Sequence, residues 1–410
     1  MNEHYDNLET RSADQRAADM AQELPAIIAH AKASAPAYAA LLADHDPAEI
    51  TNPEALAALP LTRKSDLIEQ QAANPPFAGL TAVSAGDLAC IYQSPGPIND
   101  AEGRDADYWR VARALFAAGF RRGDILHNCF AYHFTPAGAM IQTGAQALGC
   151  AVFPAGPGQT EQQIQAIRSL SPDGYAGTPS FLKIILEKAD EMGESLPSLK
   201  RALVAGEALF PAVRQGFADR GIAVRQFYGT ADLGNIAYES EAQEGLIVDE
   251  GVIVEIVRPG TGQPVTEGEV GEVVVTTTAR AYPLIRFATG DLSCFLPGVS
   301  SCGRTNRRLK GWMGRADQGT KVRGMFVHPP QVAAIISRHP EIIRARLVVT
   351  GDNNTDIMTL TCETDSGGDS LREAIIASIR AVTKLGAEVD FTTPGALPND
   401  GIVIEDARNR

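Results

Sequence analysis

Between residues 88 and 227 short apolar runs alternate with amphipathic stretches. The alternation predicts strands over 89–92, 124–129, 150–154, 174–176, 201–204 and 223–227, and helices over 106–118, 136–148, 160–170, 179–192 and 211–219. Strands separated by helices imply a parallel sheet with crossovers, whose ligands gather at the carboxyl ends of the strands. Upstream, 14–42 has the spacing of one amphipathic helix, ending before His45-Asp46-Pro47. The segment Leu59-Pro60-Leu61-Thr62-Arg63-Lys64-Ser65-Asp66-Leu67 reads as a helix start, with Thr62 as N-cap and Ser65 and Asp66 near the positive end. After Asp232 the pattern becomes β-rich, over 245–259 and 269–277, with Pro259-Gly260-Thr261-Gly262 as a turn. A fresh αβ unit follows residue 314: helix 330–338, strands 344–349 and 356–362, helix 370–383, strand 388–391.

The fold expected is α/β. A large N-terminal domain, 1–313, combines parallel and mixed sheets, helices and a β-rich subdomain, and 314–410 forms a small mobile α+β domain. A length of 410 residues suits two or three domains rather than one core.

Composition narrows the function classes. Absence of an apolar run of membrane-spanning length, and a polar start at MNEHYDNLETRSADQR, predict neither a spanning helix nor a signal peptide. Six cysteines scattered without a disulfide rhythm suit a reducing cytoplasm. A net charge of −14 argues against a nucleic-acid partner, which needs clustered cations, but not against a small anion in a locally positive pocket.

Several polar punctuations fall at predicted strand ends. They are Ala205-Gly206-Glu207, Tyr228-Gly229-Thr230-Ala231-Asp232, Arg286-Phe287-Ala288-Thr289-Gly290-Asp291 and Gly314-Arg315-Ala316-Asp317, followed by Lys321-Val322-Arg323-Gly324. Taken singly, each reads as a turn with an acidic former, and Arg315 as a surface ion pair. Their order, together with the Leu59–Leu67 element, resembles the phenylacetate–CoA ligase branch of the adenylate-forming enzymes (acyl-CoA synthetases, peptide-synthetase adenylation domains, luciferases).

The resemblance implies an AMP-forming acid–thiol ligase. It would join a small carboxylic acid to AMP and pass the acyl group to CoA, with ATP and Mg2+ required. It also implies roles. Gly206, Glu207, Tyr228, Gly229, Thr230, Asp232, Asp291 and Arg315 would surround the nucleotide. Tyr228 would stack on adenine, Asp232 would coordinate Mg2+, Asp291 would take both ribose hydroxyls, and Arg315 would contact phosphate or ribose oxygens. Asp232 and Arg315 are the catalytic candidates, and Asp317 is the hinge. Tyr132, Phe134 and Ala205 would line the acid pocket, although the two aromatics read equally well as a core cluster. Relatives commonly dimerise, so the resemblance allows a homodimer.

The chain also departs from that family. Asp232 stands where a Glu is usual, Thr230 comes one position early, and Ala231 holds the place of a hydroxyl. The stretch matching the Ser/Thr/Gly-rich phosphate loop is Tyr92-Gln93-Ser94-Pro95-Gly96-Pro97-Ile98-Asn99-Asp100, which lacks the usual lysine. Its two prolines remove N–H donors. Gly156-Pro157-Gly158-Gln159-Thr160 is glycine-rich too, but Thr160 with Gln163 reads better as a capping box. Cys294 and Cys302 do not complete a zinc site, since a serine replaces one thiolate of the family's element; no zinc is expected. Near the C-terminus Ile402 stands where relatives place the adenylation lysine, and no lysine follows Lys384. An alternative therefore stays open: a homologue that binds AMP or acyl-adenylate with impaired adenylation, or performs only the acyl-transfer half-reaction.

Overall fold

The computed structural model describes the chain apart from residues 1–2, 95–96, 317, 323–324, 352–355 and 409–410 and the side chains of Lys321 and Phe326. The described residues fall into two compact units. One comprises Met1–Val254, Val275–Thr289 and Leu296–Trp312; the other comprises Glu255–Val274, Gly290–Phe295 and Met313–Arg410.

In the first unit five parallel strands lie in the order Ala223–Thr230, Arg201–Val204, Gly174–Gly177, Ile125–Asn128, Ala151–Pro154. Antiparallel strands Gly234–Glu239, Leu246–Val248 and Arg308–Leu309 extend the sheet beyond Ala223–Thr230. Strand alternation sorts the side chains between two layers. Leu126, Ala176 and Leu203 pack with Val111, Leu115, Met140 and Ile141 from helices Val111–Ala117 and Ala137–Leu148. Tyr175, Ala202, Val204 and Val224 pack on the other face with Ile164, Leu182, Ile185 and Phe217 from helices Thr160–Leu170, Pro179–Glu191 and Pro211–Asp219. The first helix pair meets at Gly144, where a Cβ would lie 2.8 Å from the Ala112 nitrogen, so no larger residue fits without moving backbone.

The second unit carries a four-stranded sheet in the order Glu388–Thr392, Ile357–Glu363, Arg344–Thr350, Ile404–Asp406. Helices Pro329–Ile336 and Asp369–Thr383 bury Val332, Ile335, Ile375 and Ile379 against Leu347, Val349, Leu360 and Val389. A further sheet has the strand order Thr62–Arg63, Phe287–Ser293, Gly271–Thr277, Val252–Val257.

Three local expectations need correction. The helix expected over 14–42 is two helices, Ala13–Ser34 and Pro36–Leu41, because Pro36 lacks the N–H that would continue the ladder. Thr62 is no N-cap: its backbone N–H bonds the Arg286 carbonyl as part of a short parallel strand, and its hydroxyl meets the Tyr38 hydroxyl at 3.3 Å. The helix that follows begins only at Leu67, after a 3-10 turn over Lys64–Asp66. Thr160 is the first helical residue rather than the cap, and Gln159 precedes it at φ 50°. Gln163 turns inward instead, donating to the Gly156 and Gly158 carbonyls and meeting His127 Nε2 at 2.6 Å.

Candidate active site

The carboxyl ends of the parallel strands in the first unit carry most of the expected residues. Strand Arg201–Val204 runs into Ala205, which is buried and donates its N–H to the Gly177 carbonyl. Gly206 then turns the chain at φ 81°, and the Glu207 carboxylate accepts from Ser180 Oγ at 2.9 Å and from Ser180 N at 3.3 Å. Glu207 thereby neutralises the positive end of helix Pro179–Glu191, which Thr178 also caps. Tyr228, Gly229 and Thr230 end the neighbouring strand, with a register shift between Tyr228 and Gly229. The Tyr228 hydroxyl donates to Thr289 Oγ1 at 3.4 Å, and Thr230 Oγ1 accepts from the Leu233 N–H at 3.2 Å.

Asp232 lies in the turn after that strand, with its side chain fully buried. Oδ2 accepts from the Lys64 ammonium at 2.5 Å, and Oδ1 has no hydrogen-bond partner among the described residues. Asp100 is fully buried, with Asp232 its main electrostatic neighbour and, among the described residues, no hydrogen bond of normal geometry to either oxygen. Burial first, and the Asp232 charge second, push the Asp100 carboxyl up to about 8, while Lys64 opposes the shift. The Tyr282 hydroxyl is also buried without a partner, and burial followed by Asp232 raises it well above the usual tyrosine range. The arrangement is one ammonium serving two carboxyl groups. It does not offer Mg2+ a ready ligand, because one Asp232 oxygen is held by a cation and the other is sealed. Among the described residues no three His, Cys, Asp or Glu side chains form a metal-holding group.

Asp291 and Arg315 belong to the second unit and are brought together. A backbone ladder links Leu292 N to the Gly314 carbonyl and Ala316 N to the Gly290 carbonyl, and Arg315 Nη1 donates to Asp291 Oδ1 at 2.8 Å. The guanidinium lies over Gly290, where a Cβ would sit 2.6 Å from Nη2 and the backbone is at φ 76°. Glycine therefore satisfies both the turn and the close approach. The Asp291 side chain is 11% exposed and that of Arg315 53%, so the fork is open to solvent. The expected hinge, Asp317, lies outside the described residues, as do Pro95 and Gly96 of the altered phosphate loop. The rest of that loop forms a hairpin of Cys90–Ser94 with Ile98–Glu102.

Tyr132 and Phe134 part company. Tyr132 is partly buried; its hydroxyl accepts from Asn128 Nδ2 at 2.7 Å, and burial raises it to about 12. Phe134 is 73% exposed, sits at φ 63°, and is held by a hydrogen bond from the Gln93 N–H to its carbonyl. Near the C-terminus Ile402 is half-exposed on an apolar cleft of about 220 Å³ shared with Val270, Ile336 and Val403. The segment before it is fastened by Asn399, which accepts from Val270 N and donates to the Gly268 carbonyl. Arg408 is occupied by Asp406 and Asp356.

Sequence reasoning missed the Lys64–Asp232–Asp100 group. The lysine was visible in the Leu59–Leu67 element and Asp100 in the rewritten loop, but nothing in their spacing ties them to a turn 168 residues beyond Lys64.

Residues 106–281 match the model of the AMP-binding enzyme family. The phenylacetate-coenzyme A ligase of Thermus thermophilus is 30% identical over 95% of this chain and 95% of its own. Those of Aromatoleum evansii and Escherichia coli are each 34% identical, over 75% and 81% of this chain and 72% and 78% of theirs. A crystal structure of 2-hydroxyisobutyryl-CoA ligase in the postadenylation state, in complex with its acyl-AMP, has the same fold. Its TM-score is 0.73 at 23% identity, over 99% of this chain and 92% of that one.

Proposed function

The chain belongs to the phenylacetate–CoA ligase family of AMP-binding enzymes, and from that footing we propose that it activates a small aryl or short-chain carboxylic acid as its adenylate and passes the acyl group to CoA. In the first half-reaction the acid's carboxylate oxygen attacks the α-phosphorus of ATP and pyrophosphate leaves. In the second, the CoA sulfur attacks the acyl carbonyl, the thiol proton is lost, and AMP departs. Both steps are catalysed chiefly by positioning and charge neutralisation.

The observation that carries this reading is the Asp291–Arg315 pair, a buried carboxylate beside a solvent-open guanidinium fork. Asp291 has the lone pairs to hold two ribose hydroxyls, and Arg315 the donors for phosphate oxygens. Tyr228 would pack on the base, with Gly206, Glu207, Gly229 and Thr230 forming the surrounding turns, and Ala205, Tyr132 and Phe134 lining the acid. Asp317 would act as the hinge of a small domain, 314–410. Mg2+ would come with ATP, supplying charge for its phosphates; reaching it from Asp232 requires displacing Lys64. The enzyme would work in the cytoplasm, as a monomer or homodimer, without a nucleic-acid or membrane partner.

Ile402 favours one refinement, that adenylation is the weaker step. An apolar side chain cannot neutralise the α-phosphate, and Arg408 is already engaged by two carboxylates. Loss of one such transition-state contact costs roughly 3–4 kcal/mol, a factor of about a hundred to a thousand. ATP–pyrophosphate exchange over a panel of aryl and short-chain acids tests the activity. Turnover of acyl-AMP plus CoA, compared with acid, ATP and CoA, tests the refinement. Synthetic acyl-AMP is expected to be consumed faster, and Ile402→Lys to raise the ATP-dependent rate about tenfold or more while leaving the acyl-AMP reaction unchanged. A full reaction as fast as the thioester step alone would remove the case for an adenylation defect. Absence of both exchange and acyl-AMP turnover across the panel would overturn the ligase reading itself.

A further inference from the structure

The parallel sheet has a second functional-looking end. Its carboxyl end carries Glu207 and Tyr228, whereas the amino ends of the same two strands open into a cleft of about 550 Å³ that gathers Arg121, Lys200, Arg201, Arg225 and Arg304. Five cations in one cleft stand out in a chain of net charge −14. Two of them are spoken for. Arg201 is paired with Asp124 at 2.5 Å, and Arg304, fully buried, lies 3.2 Å from Glu9 and 3.4 Å from Glu241.

The other three are not. Among the described residues Arg121, Lys200 and Arg225 form no ion pair. The Arg121 guanidinium lies over the Phe116 ring at 3.7 Å and donates to the Phe116 and Phe120 carbonyls, while its backbone N–H donates to Asp124 Oδ2 at 2.8 Å; the Arg225 guanidinium donates to the Val224 carbonyl. Burial, with Arg201 and Arg304 adding and Asp124 and Glu241 opposing, pulls Arg121 below the ordinary arginine range. Burial, with Arg214 adding and Glu239 and Glu241 opposing, does the same to Arg225. Three clustered cations that form no direct ion pair raise the local potential even with carboxylates nearby, and a bound anion relieves it.

We propose that this cleft is a second ligand site, separate from the nucleotide-binding turns, for a small diphosphate-bearing anion. Guanidinium forks and a lysine suit tetrahedral phosphate oxygens better than a single carboxylate. The volume lies in the range of small-molecule pockets. Glu3 and Glu241 on the cleft confine the positive surface, which excludes a long nucleic-acid track.

Inorganic pyrophosphate and ADP share the required chemistry, and titrating each separately by calorimetry tells a free diphosphate from a nucleotide. The nucleotide-binding turns also take such anions, so both titrations are run on the wild type, Asp291→Ala and Lys200→Gln/Arg225→Gln. One binding event is expected to persist in Asp291→Ala and to weaken at least tenfold in the double glutamine variant. The charge-keeping variant Lys200→Arg/Arg225→Lys should retain it, and thermal unfolding without ligand checks that each variant is folded. Unchanged affinity in a folded double glutamine variant would overturn the proposal. So would the loss of all diphosphate binding in Asp291→Ala, or a wild type that binds neither anion at millimolar concentration. Failure of the ligase activity would leave this result untouched, because the titrations require no turnover.

Discussion

Two ion pairs, one in each unit, use the same chemistry to opposite ends. Lys64–Asp232 is closed: the carboxylate is wholly buried and its partner 22% exposed. Arg315–Asp291 is open, with the guanidinium 53% exposed. Water screens the open pair and competes for it, so the pair adds little stability and its groups can exchange partners. A closed pair cannot exchange without stranding a charge, and losing one member is far more damaging than the pair's own net contribution. The open pair therefore suits ligand binding and the closed pair suits holding a turn in place, even though the resemblance assigns ligand roles to both aspartates.

The largest effect should come from breaking the closed pair. Lys64→Met leaves Asp232 and Asp100 with no cation, and urea unfolding should show a loss of about 3 kcal/mol at neutral pH. A loss below about 1 kcal/mol would show that Asp232 does not depend on Lys64. Next comes the open pair. Asp291→Ala should weaken AMP by roughly 1.5–3 kcal/mol in calorimetry while changing unfolding stability by less than about 1 kcal/mol. Unchanged AMP affinity in the folded variant would remove Asp291 from the nucleotide site.

The smallest effect concerns Asp100. Its folded value of about 8 lies above the ordinary 3.8, so between those pH values the folded state holds a proton that the unfolded state has released. The stability associated with that proton is complete below pH 3.8 and is lost as pH rises through about 8. Asp100→Asn, which carries no charge to bury at any pH, should be more stable than the wild type by about 1 kcal/mol at alkaline pH. The difference should shrink as pH falls. Equal stabilities across that range would show that Asp100 does not carry the proton.

The α/β layering was legible because strand alternation and helical spacing are local signals. Helices Thr160–Leu170 and Pro211–Asp219 have the bounds expected of them. Asp291 and Arg315 were legible as members of a motif, and two strand-to-turn segments close in sequence bring them together. What escaped were contacts fixed by tertiary pairing. Thr62 carried every local mark of a cap, yet the Arg286 carbonyl claimed its N–H. Gln163 looked like half of a capping box, yet the Gly156 and Gly158 carbonyls claimed its amide. The Lys64–Asp232 pair is a pure product of folding, with no signature in either neighbourhood.

Phe134 has a consequence for how this protein can change over time. An exposed aromatic at φ 63° contributes little burial and holds a backbone shape that glycine or asparagine would adopt with less strain. Drift governed by stability alone would tend to replace it, and replacement would cost the fold little. The same freedom makes the position a low-risk place to vary side-chain chemistry.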